Sequence, residues 1–327
     1  MAAHGRMPGK RLAHHTIVCA PESRSKRQAI MGTTPLHDAL LTQEQALHSP
    51  LPPFHIHLLP QRVACEPALA GSKTLRTAQS VPPAGADNSV FMLHILHHDE
   101  HLIAVHKPPG LLVHRTGLDA GETRFAVQLL RDQIGQMVWP AHRLDKGTSG
   151  VLLFSLNADT ARLIGQAFEQ GTGIQKTYHA IVRGWPQPEG LIDHPLKRMP
   201  DDMRTQREEI QAAQTRFETL TRGELPLPYG DFPTTRFAKV ELQPLTGRRH
   251  QLRRHMKHAN HPIIGDTTHG KGPLNRAIAA CIGLQRLWLH ATTLALQHPV
   301  TGEALSITAE PGPEWALWDS PIRDAKD

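Results

Sequence analysis

Apolar and polar positions fall into two regimes along the chain. Before about residue 92 no period of two or 3.6 is sustained. Prolines such as Pro50, Pro52, Pro53, Pro60, Pro82 and Pro83 interrupt that segment repeatedly. From Met92 onward, patterned runs follow one another closely. Residues 93–97 and 102–106 read as short strands about an Asp99-Glu100 turn, and Pro108-Pro109-Gly110 breaks the chain after them. Ala126, Leu129, Leu130 and Ile134 keep helical spacing. Residues 151–156 form an apolar run suited to a buried strand. Asn157 is placed to cap a helix carrying Ala161, Ile164 and Phe168. Further strands are expected at 178–182, 215–219, 237–242, 288–296 and 305–308, and the polar stretch 197–213 reads as a surface excursion. Strands outnumber helices, and most lie too close together for helical crossovers. The fold class expected is therefore α+β: a mixed, largely antiparallel sheet flanked by helices. It occupies 92–327, behind a Pro/His-rich extension, 1–91, that is expected to be disordered.

Charge changes this picture little. The 327 residues carry a net charge of +6, which makes an acidic partner plausible. Yet 9 basic against 5 acidic residues fall in 1–92, so most of the excess lies outside the patterned region. No apolar run approaches a membrane span, and the N-terminus lacks the apolar core of a secretory signal. The three cysteines, Cys19, Cys65 and Cys281, contain no C-x-x-C pair, so a thiolate metal site is not supported. A cytoplasmic setting is expected.

Two constellations carry candidate chemistry. His142-Arg143-Leu144-Asp145-Lys146-Gly147-Thr148-Ser149-Gly150 places one carboxylate, one guanidinium and two hydroxyls on a loop ahead of the buried strand. Gly147 and Gly150 suggest a turn packed tightly on the sheet. The second is Gly247-Arg248-Arg249-His250-Gln251-Leu252-Arg253-Arg254-His255-Met256-Lys257-His258. Read as a helix, it has an apolar seam of Leu252, Met256 and Ala259, a face of Arg249, Arg253 and Lys257, and another of His250, Arg254 and His258. No acidic residue within it balances these cations, which favours an anionic ligand over a solvated charged face. An aspartate beside arginines stays ionised and can attack an electrophilic carbon or act as a base. Whether Arg253 reaches Asp145 is left open by the sequence. Two decoys are weighed against these. His97-His98-Asp99-Glu100-His101 is a polar hairpin turn rather than a metal site. Gly265-Asp266-Thr267-Thr268-His269-Gly270-Lys271 has the spacing of a phosphate loop, but Gly272 stands where a hydroxyl is needed and Pro273 where a helix should begin.

Taken together, the segments resemble the RluA family of pseudouridine synthases. The resemblance rests on His142-Arg143-Leu144-Asp145 with Thr148-Ser149-Gly150, on Lys176-Thr177-Tyr178 and on Gly247-Arg248-Arg249-His250-Gln251-Leu252-Arg253. His261-Pro262-Ile263-Ile264-Gly265-Asp266 and Leu289-His290-Ala291 follow in the family's order, covering about 93–310. Val113-His114-Arg115, Arg131-Asp132-Gln133-Ile134-Gly135-Gln136 and the segment 178–185 are most similar to the TruC type, which modifies uridine 65 of tRNA. The resemblance implies isomerisation of an RNA uridine to pseudouridine with base flipping and no metal or organic cofactor. It implies Asp145 as the catalytic aspartate, acting at the sugar C1′, on the C2′ proton or at uracil C6. It further implies Arg253 as its partner, Tyr178 as a group stacking on uracil with a second reading as a base, and Arg143 as the residue replacing the extruded nucleotide. His142, Arg248, Arg249 and Lys257 are expected RNA contacts, and Leu289 a wall of the uracil pocket or a core residue. The expected partner is tRNA, with an rRNA or dual-specificity enzyme as the alternative and a non-catalytic RNA-binding protein as the rival from another class. A monomer without an obligatory protein partner or membrane association is expected. Because likeness begins abruptly at Met92-Leu93, translation from Met92 is the preferred expectation, with a disordered RNA-binding tail or a transit-like segment as the alternatives for 1–91.

Overall fold

The computed structural model describes residues 91–115, 121–171, 173–199 and 209–319. The expectations for the extension concern 1–90, which lie outside them, as does 200–208 of the polar excursion. In chain order the elements are β1 (His94–His98), β2 (Leu102–Lys107), α1 (Ala126–Ile134), β3 (Trp139–Pro140), β4 (Ser149–Ser155), α2 (Ala158–Gln170), β5 (Ile174–Arg183), β6 (Glu189–Asp193), β7 (Leu196–Lys197), β8 (Ile210–Gln211), β9 (Gln214–Leu225), β10 (Thr235–Pro244), α3 (Gln251–His258), α4 (Gly272–Ile282), β11 (Leu289–Gln297) and β12 (Ala304–Thr308). One sheet runs β1-β2-β4-β11-β5-β10-β9-β6, with β12 added to β11 and β3 to β4. Among the described residues every pairing in it is antiparallel except β4 with β11. The α+β expectation is met. None of the described helices is long and apolar enough to cross a membrane.

Alternation along the strands sorts the core onto two faces. On one face, Val105, Leu152 and Phe154 meet Leu130 of α1, and Ala180, Val182, Val240 and Leu242 meet Leu252 and Met256 of α3. On the other, Ala104, Val151 and Leu153 meet Ile164 of α2, while Ile181 and Phe237 meet Ile278 of α4 and Trp288, Trp315 and Trp318. Strand β4 is buried along its whole length, as its unbroken apolar run requires. Asn157 caps α2 by accepting the Thr160 N–H at 2.8 Å, and Asp99 closes the β1–β2 turn by accepting the N–H groups of His101 and Leu102.

Helix α4 is not among the expected elements, since Pro273 stands where a helix should begin. Pro273 sits in the helix's first turn, where its missing N–H has no intrahelical acceptor to lose and its fixed φ suits the helix. The phosphate-loop spacing before it is filled differently: the Asp266 carboxylate accepts the loop's own N–H groups at Thr268 and His269.

Gly150, Ala291 and Tyr178 form one row across β4, β11 and β5. Gly150 has φ +110°, and a Cβ there would stand 2.1 Å from the Ala291 carbonyl oxygen. Only glycine permits β4 to approach β11 so closely behind the Asp145 loop. Gly150→Ala is expected to destabilise the fold by roughly 2–5 kcal/mol through backbone strain plus overpacking. Gly171→Ala, at φ +67° with nothing within 4 Å, is expected to cost about 1 kcal/mol. Denaturant unfolding of the two variants checks this, and equal losses would contradict it.

Candidate active site

The loop ahead of β4 is tied down on every side of Asp145. Leu144 is buried in the core. The Asp145 carbonyl accepts the Thr148 N–H at 3.0 Å, closing a tight turn, and the Lys146 carbonyl accepts the Gly110 N–H at 2.8 Å. Lys107, fully buried at the end of β2, donates to the carbonyls of Pro108, Leu111 and Lys146 at 2.9, 2.8 and 3.2 Å. Burial pushes its ammonium down to about 7, opposed by the nearby charge of Asp145 and assisted by Arg286. Three carbonyl acceptors call for three N–H donors, so the geometry is that of the ammonium form. At the loop's far end the Ser149 hydroxyl accepts from Arg286 Nη2 at 2.8 Å and meets His290 Nδ1 at 2.8 Å. Arg286 is itself paired with Glu314.

Helix α3 is fixed by a chain of polar contacts to β9. Gln251 accepts the Arg248 N–H and the Thr246 hydroxyl, and donates to the Gln214 carbonyl and the Thr215 hydroxyl. His255 Nε2 bonds to the His194 carbonyl and Nδ1 to the Thr215 hydroxyl. The helix starts at Gln251 rather than at Gly247, so Arg249 and His250 precede it and cannot extend a helical face with Arg253. Arg253 is 7% exposed and belongs to the interior, which corrects its placement beside the exposed Lys257 on a cationic face.

That burial is possible because two carboxylates meet the guanidinium. Asp266, with no exposed side-chain surface, receives Nε and Nη2 at 2.7 and 2.8 Å in a bidentate fork. Asp145, 25% exposed, receives Nη1 at 2.8 Å. Burial alone would lower the Arg253 pKa, but the bonds and charges of Asp266 and Asp145 hold it above its ordinary value. Burial likewise opposes the Asp266 charge, and Arg253 with the His269 and Thr268 N–H groups overcomes it, so its pKa is lowered. The second Asp145 oxygen, Oδ1, faces His250 Nε2 at 3.7 Å. Tyr178 packs against the cores on both sides of the site. Its phenol is held well above the ordinary range by burial and by the Asp145 charge. The phenolate a base would need is thus disfavoured, which argues for the stacking role over the base role.

Arg143, Arg248 and Lys257 are exposed and Arg249 half-buried. Arg248 Nε donates to the Ala212 carbonyl at 3.1 Å. His142 differs from the expected RNA contact: its Nε2 accepts the Leu153 N–H at 3.2 Å, its ring stacks on Phe168 at 5.2 Å, and burial with Lys176 pushes its pKa down to about 3. A neutral imidazole bonded into β4 is not a phosphate contact. Leu289 is 3% exposed and packs with Leu252 and Met256, in line with the core alternative.

Residues 101–258 match the family described as RNA pseudouridylate synthase. The tRNA pseudouridine synthase C of Yersinia pestis is 49% identical over 234 residues, covering 70% of this chain and 88% of that protein. The chain belongs to the RNA pseudouridylate synthase family. The tRNA pseudouridine synthase C of Vibrio cholerae is 50% identical over 222 residues, covering 67% of this chain and 91% of that protein. Among solved structures, human RNA Pseudouridylate Synthase Domain Containing 1 superposes with a TM-score of 0.54 at 26% identity, covering 71% of this chain and 88% of that one. The RluA-type resemblance is thereby borne out.

In the sequence Asp266 stands within a motif and a phosphate-loop-like run, neither of which gives it a role. A buried arginine demands a carboxylate, and that demand is the signal that could have found it. Removing the fork while keeping shape, Asp266→Asn should cost about 3–5 kcal/mol near neutral pH. Because the folded pKa of Asp266 lies below the ordinary 3.8, its stabilisation is complete above that value and is lost as pH falls through the folded one. Unfolding curves of wild type and variant should therefore converge in acid. A gap of constant size at all pH values would contradict this.

Proposed function

We propose that this protein isomerises a uridine of tRNA to pseudouridine, acting at U65, without a metal or organic cofactor. The observation that carries the reading is the Asp145–Arg253–Asp266 chain, set in a sequence about half identical to tRNA pseudouridine synthase C across some nine-tenths of that protein's length. In this reading residues 92–327 are the catalytic domain, working as a monomer in the cytoplasm.

Asp145 is the reacting carboxylate. Arg253 pairs with it and aims it, so that it can attack C1′ or draw the C2′ proton as the N1–C1′ bond breaks. Tyr178 stacks on the freed uracil while it turns to offer C5 to C1′. The glycosidic carbon is shielded inside a stacked helix, so the nucleotide must be flipped out, and Arg143 takes its place. Arg248, Arg249 and Lys257 hold phosphates, which makes binding salt-dependent. His142 and Leu289 support the loop and the pocket from behind.

Asp145→Asn is expected to abolish pseudouridine formation while leaving tRNA affinity nearly unchanged. Mapping pseudouridines in RNA from cells lacking the protein should show loss at tRNA position 65. Retained activity in the variant would overturn the role of Asp145, and loss confined to rRNA would overturn the substrate.

A further inference from the structure

The reaction's last step needs a proton acceptor beside the Asp145 carboxylate, which is engaged at the sugar. When uracil rejoins C1′ through C5, that carbon still carries its hydrogen, and the C5–H bond must break to restore the ring. Around Asp145, Arg253 is a cation locked between two carboxylates. All three Lys107 N–H groups are used by carbonyls, and Tyr178 is held as the neutral phenol. His250 remains.

Its geometry is specific. Among the described residues only His250 and Asn260 are non-glycine residues with positive φ, and His250 stands at +54°. A histidine in the left-handed region is costly and marks a constrained position. The conformation brings Nε2 to 3.7 Å from Asp145 Oδ1, the oxygen Arg253 does not hold. The opposite nitrogen, Nδ1, lies 3.0 Å from His269 Nε2, with the two rings edge-on at 79°. One of that pair must donate. An Nε2–H aimed at a carboxylate would close to about 2.7–2.9 Å, so the longer gap fits an unprotonated Nε2 and an Nδ1–H donating to His269. The groups facing His250 are Asp145 from the loop before β4, Arg253 and Arg249 from α3 and its lead-in, and His269 from the loop before α4. Burial first, then Arg253, His269 and Arg249, push its pKa down to about 4 against the pull of Asp145.

Resting on the pseudouridine synthase reading, we infer that His250 is a catalytic base that takes the C5 proton, and that His269 relays it outward. Asp145 must face C1′ or C2′, and C5 is bonded to C1′ at this stage, so a nitrogen beside the Asp145 carboxylate is within reach of C5. As C5–H breaks, its electron pair becomes the C5=C6 bond. The C6=N1 pair moves onto N1, which takes a proton from water. The C5 proton arrives on Nε2, where the Asp145 carboxylate stabilises the imidazolium. The Nδ1 proton then passes to His269 and on to solvent, so the net change is an isomerisation.

The test uses the full chain, a tRNA substrate and the same tRNA deuterated at uridine C5, under single-turnover conditions. His250→Asn keeps a residue tolerated in the left-handed region and an amide for His269, but cannot carry the proton. Its rate is expected to fall about 100-fold with unchanged tRNA affinity, and a C5 isotope effect larger than the wild type's should emerge as proton removal becomes limiting. His269→Gln should move both readouts in the same direction by less. Either variant at the wild-type rate, or a slow His250→Asn enzyme with the wild-type isotope effect, overturns the relay alone. A wild-type protein that forms no pseudouridine in tRNA overturns the reading beneath it.

Discussion

A guanidinium withdrawn from water is the constraint on which this molecule turns. Arg253 sits on the face of α3 that packs into the core, and a lone buried cation would cost several kcal/mol. Asp266 removes most of that cost with a planar two-bond fork, leaving one N–H edge unsatisfied. Asp145 fills that edge with a single oxygen and keeps a quarter of its side chain open. The asymmetry explains how two similar carboxylates differ: the one fully enclosed anchors the cation, and the one half-held stays available for chemistry.

The sheet exists, functionally, to bring these three residues together from positions 145, 253 and 266. Gly150 lets β4 press against β11 behind the loop. Gln251 and His255 clamp α3 to Thr215 at the start of β9, so the helix cannot roll away from Asp145. Lys107 and Arg286 brace the loop from beneath, through carbonyls and the Ser149 hydroxyl. Each side chain among these supports is buried and polar, and each has hydrogen-bonding partners, which is the condition for such groups to rigidify a site.

Much of this was legible in order along the chain. The apolar run after Gly150 announced a buried strand, Asn157 announced the start of α2, and the hairpin at Asp99 followed from its turn residues. These are local signals, and local chemistry decides them. The misses have a common cause. Arg253 looked like one cation among several, because helical spacing reports neighbours on the helix and not what the helix packs against. Asp266 and His250 lay in plain view, but their meaning is a distance to Asp145, and nothing in periodicity encodes a contact across 100 residues. His142 misled in the opposite sense, since a polar residue beside a catalytic motif reads as a ligand contact until its ring is found bonded to β4. Helix α4 was lost by reading a proline as a breaker at the one turn where it is a starter.

In the proposed function a single bifacial guanidinium both stabilises the fold and holds Asp145 for reaction. Lysine keeps the charge but lacks the planar fork that serves two carboxylates at once. The most direct measurement is the single-turnover rate of pseudouridine formation by Arg253→Lys, with tRNA affinity measured in parallel. The account predicts intact binding with a rate lower by about 100-fold or more, the scale of losing one electrostatic contact in an active site. A lysine variant that turns over at the wild-type rate would contradict it.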